Sequence, residues 1–234
     1  MVRSEAGQGE AVLLSGGLDS AVLLAAVAAA ARGRAADVRV VPIYVSVGLA
    51  WETEERAIVA RLLATDAFRD VQPVATLRFD MGDVYPPTHW AMRGEAPGFD
   101  TPDEDVYLEG RNVVLLSKAA VFMARAGLTR VSIGPLAGNP FPDATPEFFA
   151  AMGRALSLGL GTTIDIAAPF RDQHKSDVIA LGRSLGVPLA MTLSCMQPAG
   201  GLHCGRCSKC RERRDAFREA GVDDPTEYAV APIR

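Results

Sequence analysis

An α/β fold built on a doubly wound parallel sheet is what this sequence predicts, and three observations predict it. Short apolar runs alternate with helical stretches along most of the chain. A glycine turn, Ser15-Gly16-Gly17-Leu18-Asp19-Ser20, joins the first apolar run to the first helical stretch. The chain has 234 residues, 49% of them hydrophobic and 22% charged, enough to bury a sizeable core.

The elements follow in order. Residues 1–10 are polar and read as a frayed start. Residues 11–14 (AVLL) form a strand that the Ser-Gly-Gly turn ends, and an Ala/Leu-rich helix runs on to about Arg32. Residues 38–45 (VRVVPIYV) read as a second buried strand. A helix over 52–66 opens on Glu52, Thr53, Glu54 and Glu55, an acidic first turn that suits the macrodipole. Residues 71–79 make a weaker strand, which Pro73 demotes to a sheet edge. From 82 to 105 the chain is rich in Pro, Gly, Asp and Thr and reads as a long surface loop. A helix over 112–126, a strand over 130–134 and a helix over 145–157 come next, the last opened by Thr145-Pro146-Glu147. A fifth strand (164–168) and a helix over 174–185, ended by Gly186 and Pro188, complete the pattern. Two units are expected: a nucleotide-binding α/β domain over 11–190 and a metal-binding C-terminal segment over 191–228.

Charge and cysteine usage exclude several classes. A formal net charge of −4 argues against a general nucleic-acid coat. The four cysteines (Cys195, Cys204, Cys207 and Cys210) all fall within sixteen residues, which is no disulfide framework. They point to a reducing compartment with one local metal or redox site. The longest apolar run, residues 21–31, is too short to span a bilayer, and Asp19 stands where a signal peptide would carry basic residues. A protein of the cytoplasm with no membrane partner is expected.

In sheets of this kind, ligands bind beyond the carboxyl ends of the strands. The glycine turn sits at such an end. Two glycines let the backbone turn tightly and bring N–H groups to an anion, Ser15 and Ser20 add hydroxyls, and the helix N-terminus adds its dipole. This is phosphate-binding chemistry. The turn lacks the lysine of a Walker A loop and the GxGxxG spacing of a dinucleotide fold. The plainer alternative is a tight strand-to-helix turn capped by Asp19 or Ser20.

The spacing Cys195-x8-Cys204-x2-Cys207-x2-Cys210 gathers four thiolates into one segment. Four sulfur ligands suit one tetrahedral Zn²⁺ per chain, and a site so closed is structural. An iron–sulfur cluster and a CxxC redox pair are competing readings, and His203 is an alternative ligand. Residues 195–218 also hold six Lys or Arg against two acidic residues. A solvated helix face is the plain reading of these cations. Beside a nucleotide site, some of them would instead attract phosphate.

The string SGGLDS after a buried strand resembles the PP-loop of the ATP pyrophosphatase superfamily, an adenine nucleotide alpha hydrolase-like fold. With SCM…GGLHCGRCSKCRERRDAFREAGVDDPTEY in the same chain, the sequence resembles the 7-cyano-7-deazaguanine synthase family of queuosine biosynthesis. Gly110-Arg111-Asn112 matches that family's GRN element. Pro142-Asp143 with Pro146-Glu147-Phe148 matches its PDxxPEF stretch, and Lys175 lies where a helix-opening lysine is expected. The resemblance covers about residues 11–228.

The resemblance implies an ATP-dependent ligase that adenylates 7-carboxy-7-deazaguanine, forms an amide with ammonia, and dehydrates it to the nitrile with release of AMP. It implies that Leu14, Ser15, Gly16, Gly17, Leu18, Asp19, Ser20, Ala21, Val22, Leu23 and Leu24 carry the phosphates. Asp19 would help hold Mg²⁺. Arg111, Asn112 and Lys175 would hold nucleotide or transition-state charge. Asp143 would pair with the donor edge of the guanine-like base. ATP, Mg²⁺ and Zn²⁺ are the implied cofactors, the zinc on Cys195, Cys204, Cys207 and Cys210, and a homodimer is the implied assembly.

The sequence departs from the family where the substrate would lie. Tyr44-Val45-Ser46-Val47-Gly48-Leu49-Ala50-Trp51 replaces a Tyr-Gly-Gln-Arg-His stretch, Met196 replaces an aromatic, and GPLAGNPF (134–141) replaces an Asn/Asp/Tyr-rich segment. Three other functions therefore compete. One is a relative that passes the adenylated carboxylate to a different amine, which includes an amine on a protein. Another is sulfur transfer to tRNA, which finds no cysteine outside the cluster to carry persulfide. The last is a non-enzymatic zinc module that binds nucleic acid.

Overall fold

Five parallel strands form one sheet in the order β3-β2-β1-β4-β5. The structure is a computed structural model that describes residues 9–34 and 38–230. Of the predicted frayed start, residues 1–8 lie outside the described residues, whereas Gly9 and Glu10 open the first strand.

The strands are β1 (Gly9–Leu13), β2 (Arg39–Ser46), β3 (Ala75–Arg78), β4 (Arg130–Ser132) and β5 (Asp165–Ala167). The helices are α1 (Leu18–Arg32), α2 (Glu52–Leu63), the short α3 (Trp90–Arg93), α4 (Arg111–Ala126), α5 (Pro146–Leu160), α6 (Lys175–Ser184) and α7 (Ser208–Glu219). Every predicted strand and helix is present, with ends displaced by a few residues.

Local chemistry explains the placements. Pro42 sits inside β2, a strand with neighbours on both sides. Leu14 N donates to Ile43 O, so Ile43 faces β1 and Pro42 faces the β3 side. There the ladder begins only at Ile43–Ala75, so the missing N–H of Pro42 breaks no pairing. β3 is the edge strand that Pro73 foretold, beginning two residues after it. Thr145 caps α5, its hydroxyl accepting from Phe148 N at 3.1 Å, with Pro146 at the first helical position.

Right-handed crossovers place α1 and α6 together on one face and α4 and α5 together on the other. The α1–α6 contact is close: a Cβ at Gly182 would lie 2.7 Å from Val22 Cγ2. β1 is central, and its neighbours β2 and β4 connect in opposite directions, so the topological switch point falls at the end of β1. That is where the glycine turn lies, and where such sheets bind ligands.

The segment from 82 to 105 is not the plain surface loop that its composition predicts. It contains α3 and runs into a 3-10 turn over Asp103–Val106. Scattered apolar anchors, Met81, Tyr85, Ala91 and Val106, are buried along it, and these hold it to the body. Tyr85 donates to Glu109 O at 2.8 Å, and Ala50 N donates to Ala91 O at 3.0 Å. Among the described residues, no helix is long and apolar enough to cross a membrane.

Candidate functional site

A cleft opens at the carboxyl ends of β1, β2 and β4, walled by the glycine turn, the start of α4, residues 134–141 and α7. The turn is pre-shaped by its own hydroxyls. Gly17 N donates to Ser15 Oγ at 3.2 Å, Ser15 N donates to Ser20 Oγ at 3.2 Å, and Ser20 Oγ donates to Gly17 O at 3.0 Å. Gly16 sits at φ +81°, where a Cβ would press on Glu55 O at 3.2 Å, so only glycine fits without strain. Gly17 is the N-cap of α1, and no side chain caps that helix. The amides of its first turn therefore remain available to an anion.

Leu14, Ser15, Gly17, Leu18, Asp19 and Ser20 line the cleft. Ala21, Val22, Leu23 and Leu24 do not, and the expectation that they carry phosphate needs correcting. Ala21 N is already spent on Gly17 O at 3.0 Å, and all four side chains are fully or almost fully buried in the core. Gly16 shapes the turn from behind without lining the cleft.

Lys175 opens α6, as predicted, and reaches the turn. Its Nζ lies 3.3 Å from Asp19 Oδ2 and also pairs closely with Glu212 of α7. Burial works to lower the Lys175 pKa, but Asp19 and Glu212 outweigh it and the ammonium is held above its ordinary range. Glu212 shows the reverse: burial would raise it, yet Lys175 and Lys209 hold it at about 2. Asp19 is raised, chiefly by burial and against the pull of Lys175. Among the described residues its Oδ1 has no partner, and neither has Arg111 Nε in the same cleft. Both atoms are therefore able to take a hydrogen-bond partner from outside the chain.

Asn112 and Asp143 are brought together, and they bind each other. Asn112 N donates to Asp143 Oδ2 at 3.0 Å, and Asn112 Nδ2 donates to Asp143 O and Oδ1 at 3.0 and 3.2 Å. Asp143 thereby satisfies an amide in the first turn of α4, which begins at Arg111. Burial raises its pKa against those bonds.

Sequence reasoning missed Glu55. It is buried in the cleft wall, where Tyr44 Oη and Trp51 Nε1 each donate to it at 3.0 Å. Burial, opposed by Arg111 and Tyr44, pushes its pKa up to about 7. An unfolded glutamate releases its proton near 4.5, so between 4.5 and 7 the folded chain binds the extra proton. Stability therefore falls as pH rises through that window, by about 3 kcal/mol from this group alone. Glu55→Gln is expected to remove that slope, which denaturant titrations at several pH values would read directly. An unchanged slope would place the proton elsewhere.

The four cysteines form one cluster, their sulfurs all within 4.8 Å of one another. Cys207 Sγ lies 3.5 Å from Cys210 and 4.0 Å from Cys195, and Cys204 lies 3.9 Å from Cys210. Backbone N–H groups of Gln197 and Cys204 point at Cys195 Sγ and that of Arg206 at Cys204 Sγ, which suits thiolates. His203 is not among them. It is buried, and its Nε2 accepts from Ser194 N at 3.0 Å.

Nor is the basic helix a plainly solvated face. Arg213 is 0% exposed. It donates to Thr226 Oγ1, Thr192 Oγ1, Ser194 Oγ and Leu189 O at 2.6–3.1 Å. Leu193 N donates to Gly16 O at 2.9 Å, so the segment leading into the cysteine cluster is tied directly to the glycine turn.

Comparison with known proteins agrees with this geometry. Residues 10–221 match the family model of the queuosine biosynthesis protein QueC. A 7-cyano-7-deazaguanine synthase of Methanothrix thermoacetophila is 35% identical, over 94% of this chain and 99% of its own length. Those of Anaeromyxobacter dehalogenans (33%, over 93% and 94%) and Thiobacillus denitrificans (34%, over 93% and 97%) are similarly related. Among solved structures, the U34-tRNA thiolase NcsA of Methanococcus maripaludis, described with its 4Fe-4S cluster, shares the fold. The TM-score is 0.53 at 11% identity, covering 92% of this chain and 68% of that one. The glycine turn, the cleft beside it and the four-cysteine segment thus sit in a chain that belongs to the QueC family of queuosine biosynthesis proteins.

Proposed function

We propose that this protein is an ATP-dependent ligase that converts 7-carboxy-7-deazaguanine and ammonia to 7-cyano-7-deazaguanine through an adenylated carboxylate. The observation that carries the reading is the glycine turn, with its free helix-start amides and the unpaired Asp19 Oδ1, lining one cleft with the unpaired Arg111 Nε. The curated relatives bearing that enzyme's name supply the substrate class.

The substrate carboxylate attacks the α-phosphorus of ATP, the α–β bridge breaks, and pyrophosphate leaves. Ammonia then attacks the acyl carbon and AMP departs, because a carboxylate is a poor leaving group and AMP a good one. The amide oxygen then attacks the α-phosphorus of a second ATP and pyrophosphate leaves; loss of both N–H protons and departure of AMP, which carries off the amide oxygen, leave the nitrile. In this scheme the amides of Leu18, Asp19 and Ser20 hold phosphate oxygens, and Lys175 and Arg111 stabilise the charge that builds on them. Asn112, locked by Asp143, keeps Arg111 at the head of α4. Asp143 presents its carboxylate edge to the base. Glu55, a carboxylate that lines the cleft, takes the proton that the attacking amine sheds. Magnesium, when bound, offsets the charge of the departing pyrophosphate, and Asp19 Oδ1 is the oxygen that would hold it.

For the cysteines, zinc is the metal that fits. A tetrahedron with Zn–S bonds of ~2.3 Å spaces its sulfurs at roughly 3.8 Å, against 3.5–4.0 Å for three of the pairs and at most 4.8 Å for any. An iron–sulfur cube sets each cysteine on a separate iron and spreads the sulfurs farther apart. Metal analysis after mild purification is expected to give one zinc per chain. A brown chromophore with iron in its place would reverse the assignment.

Incubation with ATP, ammonium and 7-carboxy-7-deazaguanine tests the whole reading, with the nitrile, AMP and pyrophosphate as expected products. A second reading has one observation in its favour: the stretch from Tyr44 to Trp51, which departs from the family pattern, builds the wall around Glu55. Amide as sole end product would favour that reading, in which the activated acyl group passes to another amine.

A further inference from the structure

Five charged groups run in an alternating chain along the cleft beside the glycine turn: Asp19, Lys175, Glu212, Lys209 and Asp103. Lys175 Nζ binds Asp19 Oδ2 and Glu212 Oε1, and Lys209 Nζ lies 2.6 Å from Glu212 Oε2 and 3.3 Å from Asp103 Oδ1. One carboxylate therefore holds two ammonium groups, one on each oxygen. Nothing in the family resemblance assigns Lys209 or Glu212 a role, and the sequence leaves Lys209, between Cys207 and Cys210, as one of six cations that read as a solvated face or, beside a nucleotide site, as drawing phosphate. Both residues nevertheless line the cleft.

We infer that Lys209 is a second pyrophosphate-binding cation, and that Glu212 is the positioning residue that holds Lys175 and Lys209 side by side for the β- and γ-phosphates of ATP. The inference rests on the nucleotide reading of the cleft and adds the end of the cleft where the leaving group lies. α1 presents its amides at the glycine turn, and Lys175 is anchored to Asp19 in the first turn of that helix. Lys209 stands one carboxylate farther along, so a phosphate chain that starts at the turn and follows Lys175 comes next to Lys209.

The arrangement gives the metal cluster a task at the site. Cys207 caps α7 and Cys210 lies in its first turn, so the cluster sets where Lys209 and Glu212 project. It fixes the other wall as well. Gly98 forms an antiparallel bridge with Cys207, Arg211 donates to Thr101 O at 3.3 Å, and Lys209 pairs with Asp103. The strap that runs into Val106 and Leu108 of the cleft is thereby buttoned to α7.

Equilibrium binding of Mg·ATP and of AMP to the full-length, metal-replete protein tests this without any need for the carboxylate substrate. Lys209→Met is expected to weaken Mg·ATP about tenfold, the loss of one charge-assisted contact, while AMP changes less than twofold. Lys209→Arg should recover most of that loss. Glu212→Gln should weaken Mg·ATP selectively as well, because it releases both lysines. Metal content and melting temperature, measured on each variant, show whether a variant folds, and the Arg and Gln variants carry the test if the Met variant does not. Equal losses for ATP and AMP, or no loss for either, overturn the inference. A wild-type protein that binds neither nucleotide overturns the inference and the proposed function together. Tight Mg·ATP binding that depends on Lys209, without turnover of the deazaguanine, overturns the substrate reading alone.

Discussion

Asp19→Asn is expected to lower the proposed AMP formation roughly 100- to 1,000-fold, the scale on which enzymes lose a single preorganised electrostatic group, while the fold survives. The side chain has two tasks on two oxygens. Oδ2 anchors Lys175 at 3.3 Å, and Oδ1 is buried and unpaired among the described residues, the oxygen that the proposal gives to a cation. Asparagine keeps the shape but brings no charge, and it presents an amide N–H where a cation should bind. Asp19 also sits in the first turn of α1, where the substitution removes a dipole interaction of about 0.3–1 kcal/mol and one of the two carboxylates on Lys175, Glu212 keeping the other. Single-turnover quenching with product chromatography reads the first effect and thermal melting the second. Unchanged AMP formation would remove Asp19 from the site.

Arg213→Ala is expected to produce the largest loss of stability in the C-terminal segment. The guanidinium is 0% exposed and satisfies Leu189 O, Thr192, Ser194 and Thr226 at once, with Asp224 4.0 Å away. Alanine leaves those acceptors buried without a donor and opens a cavity beside Phe217, whose ring lies 5.3 Å from the guanidinium carbon. Breaking a buried charged network in this way costs about 3–5 kcal/mol. The melting midpoint should drop by roughly ten degrees. Lysine is a poor substitute because it cannot reproduce the planar fork. A melting point within a degree or two of wild type would show that the network contributes little.

The parts of this site that were legible in the sequence are those whose chemistry is local. The SGGLDS turn is written in six consecutive residues, and the structure places it at the end of β1. The cysteine spacing likewise gathers its own ligands, so the cluster needs no distant partner to be read. Pro73 and Thr145-Pro146 spoke for an edge strand and a helix start on the same local grounds. What stayed hidden depends on docking. Glu55 reads as one more acid in the first turn of α2, and only folding buries it between Tyr44 and Trp51. Lys209, Glu212 and Arg213 occupy neighbouring places on one basic helix, yet two line the cleft and one is buried in the interior. Helical periodicity cannot separate those fates without knowing what α7 packs against. Ala21–Leu24 erred the other way: the resemblance extended the phosphate loop into α1, whereas the amides of a helix are free only in its first turn.

Adenylation of a carboxylate is the central chemical claim, and it is traced most directly by isotope. A 7-deazaguanine carboxylate labelled with heavy oxygen in its carboxyl group, turned over with ATP and ammonium, is predicted to deliver label into the phosphate of AMP, with none in pyrophosphate. Label found in inorganic phosphate released alongside ADP, or AMP free of label, would contradict the account.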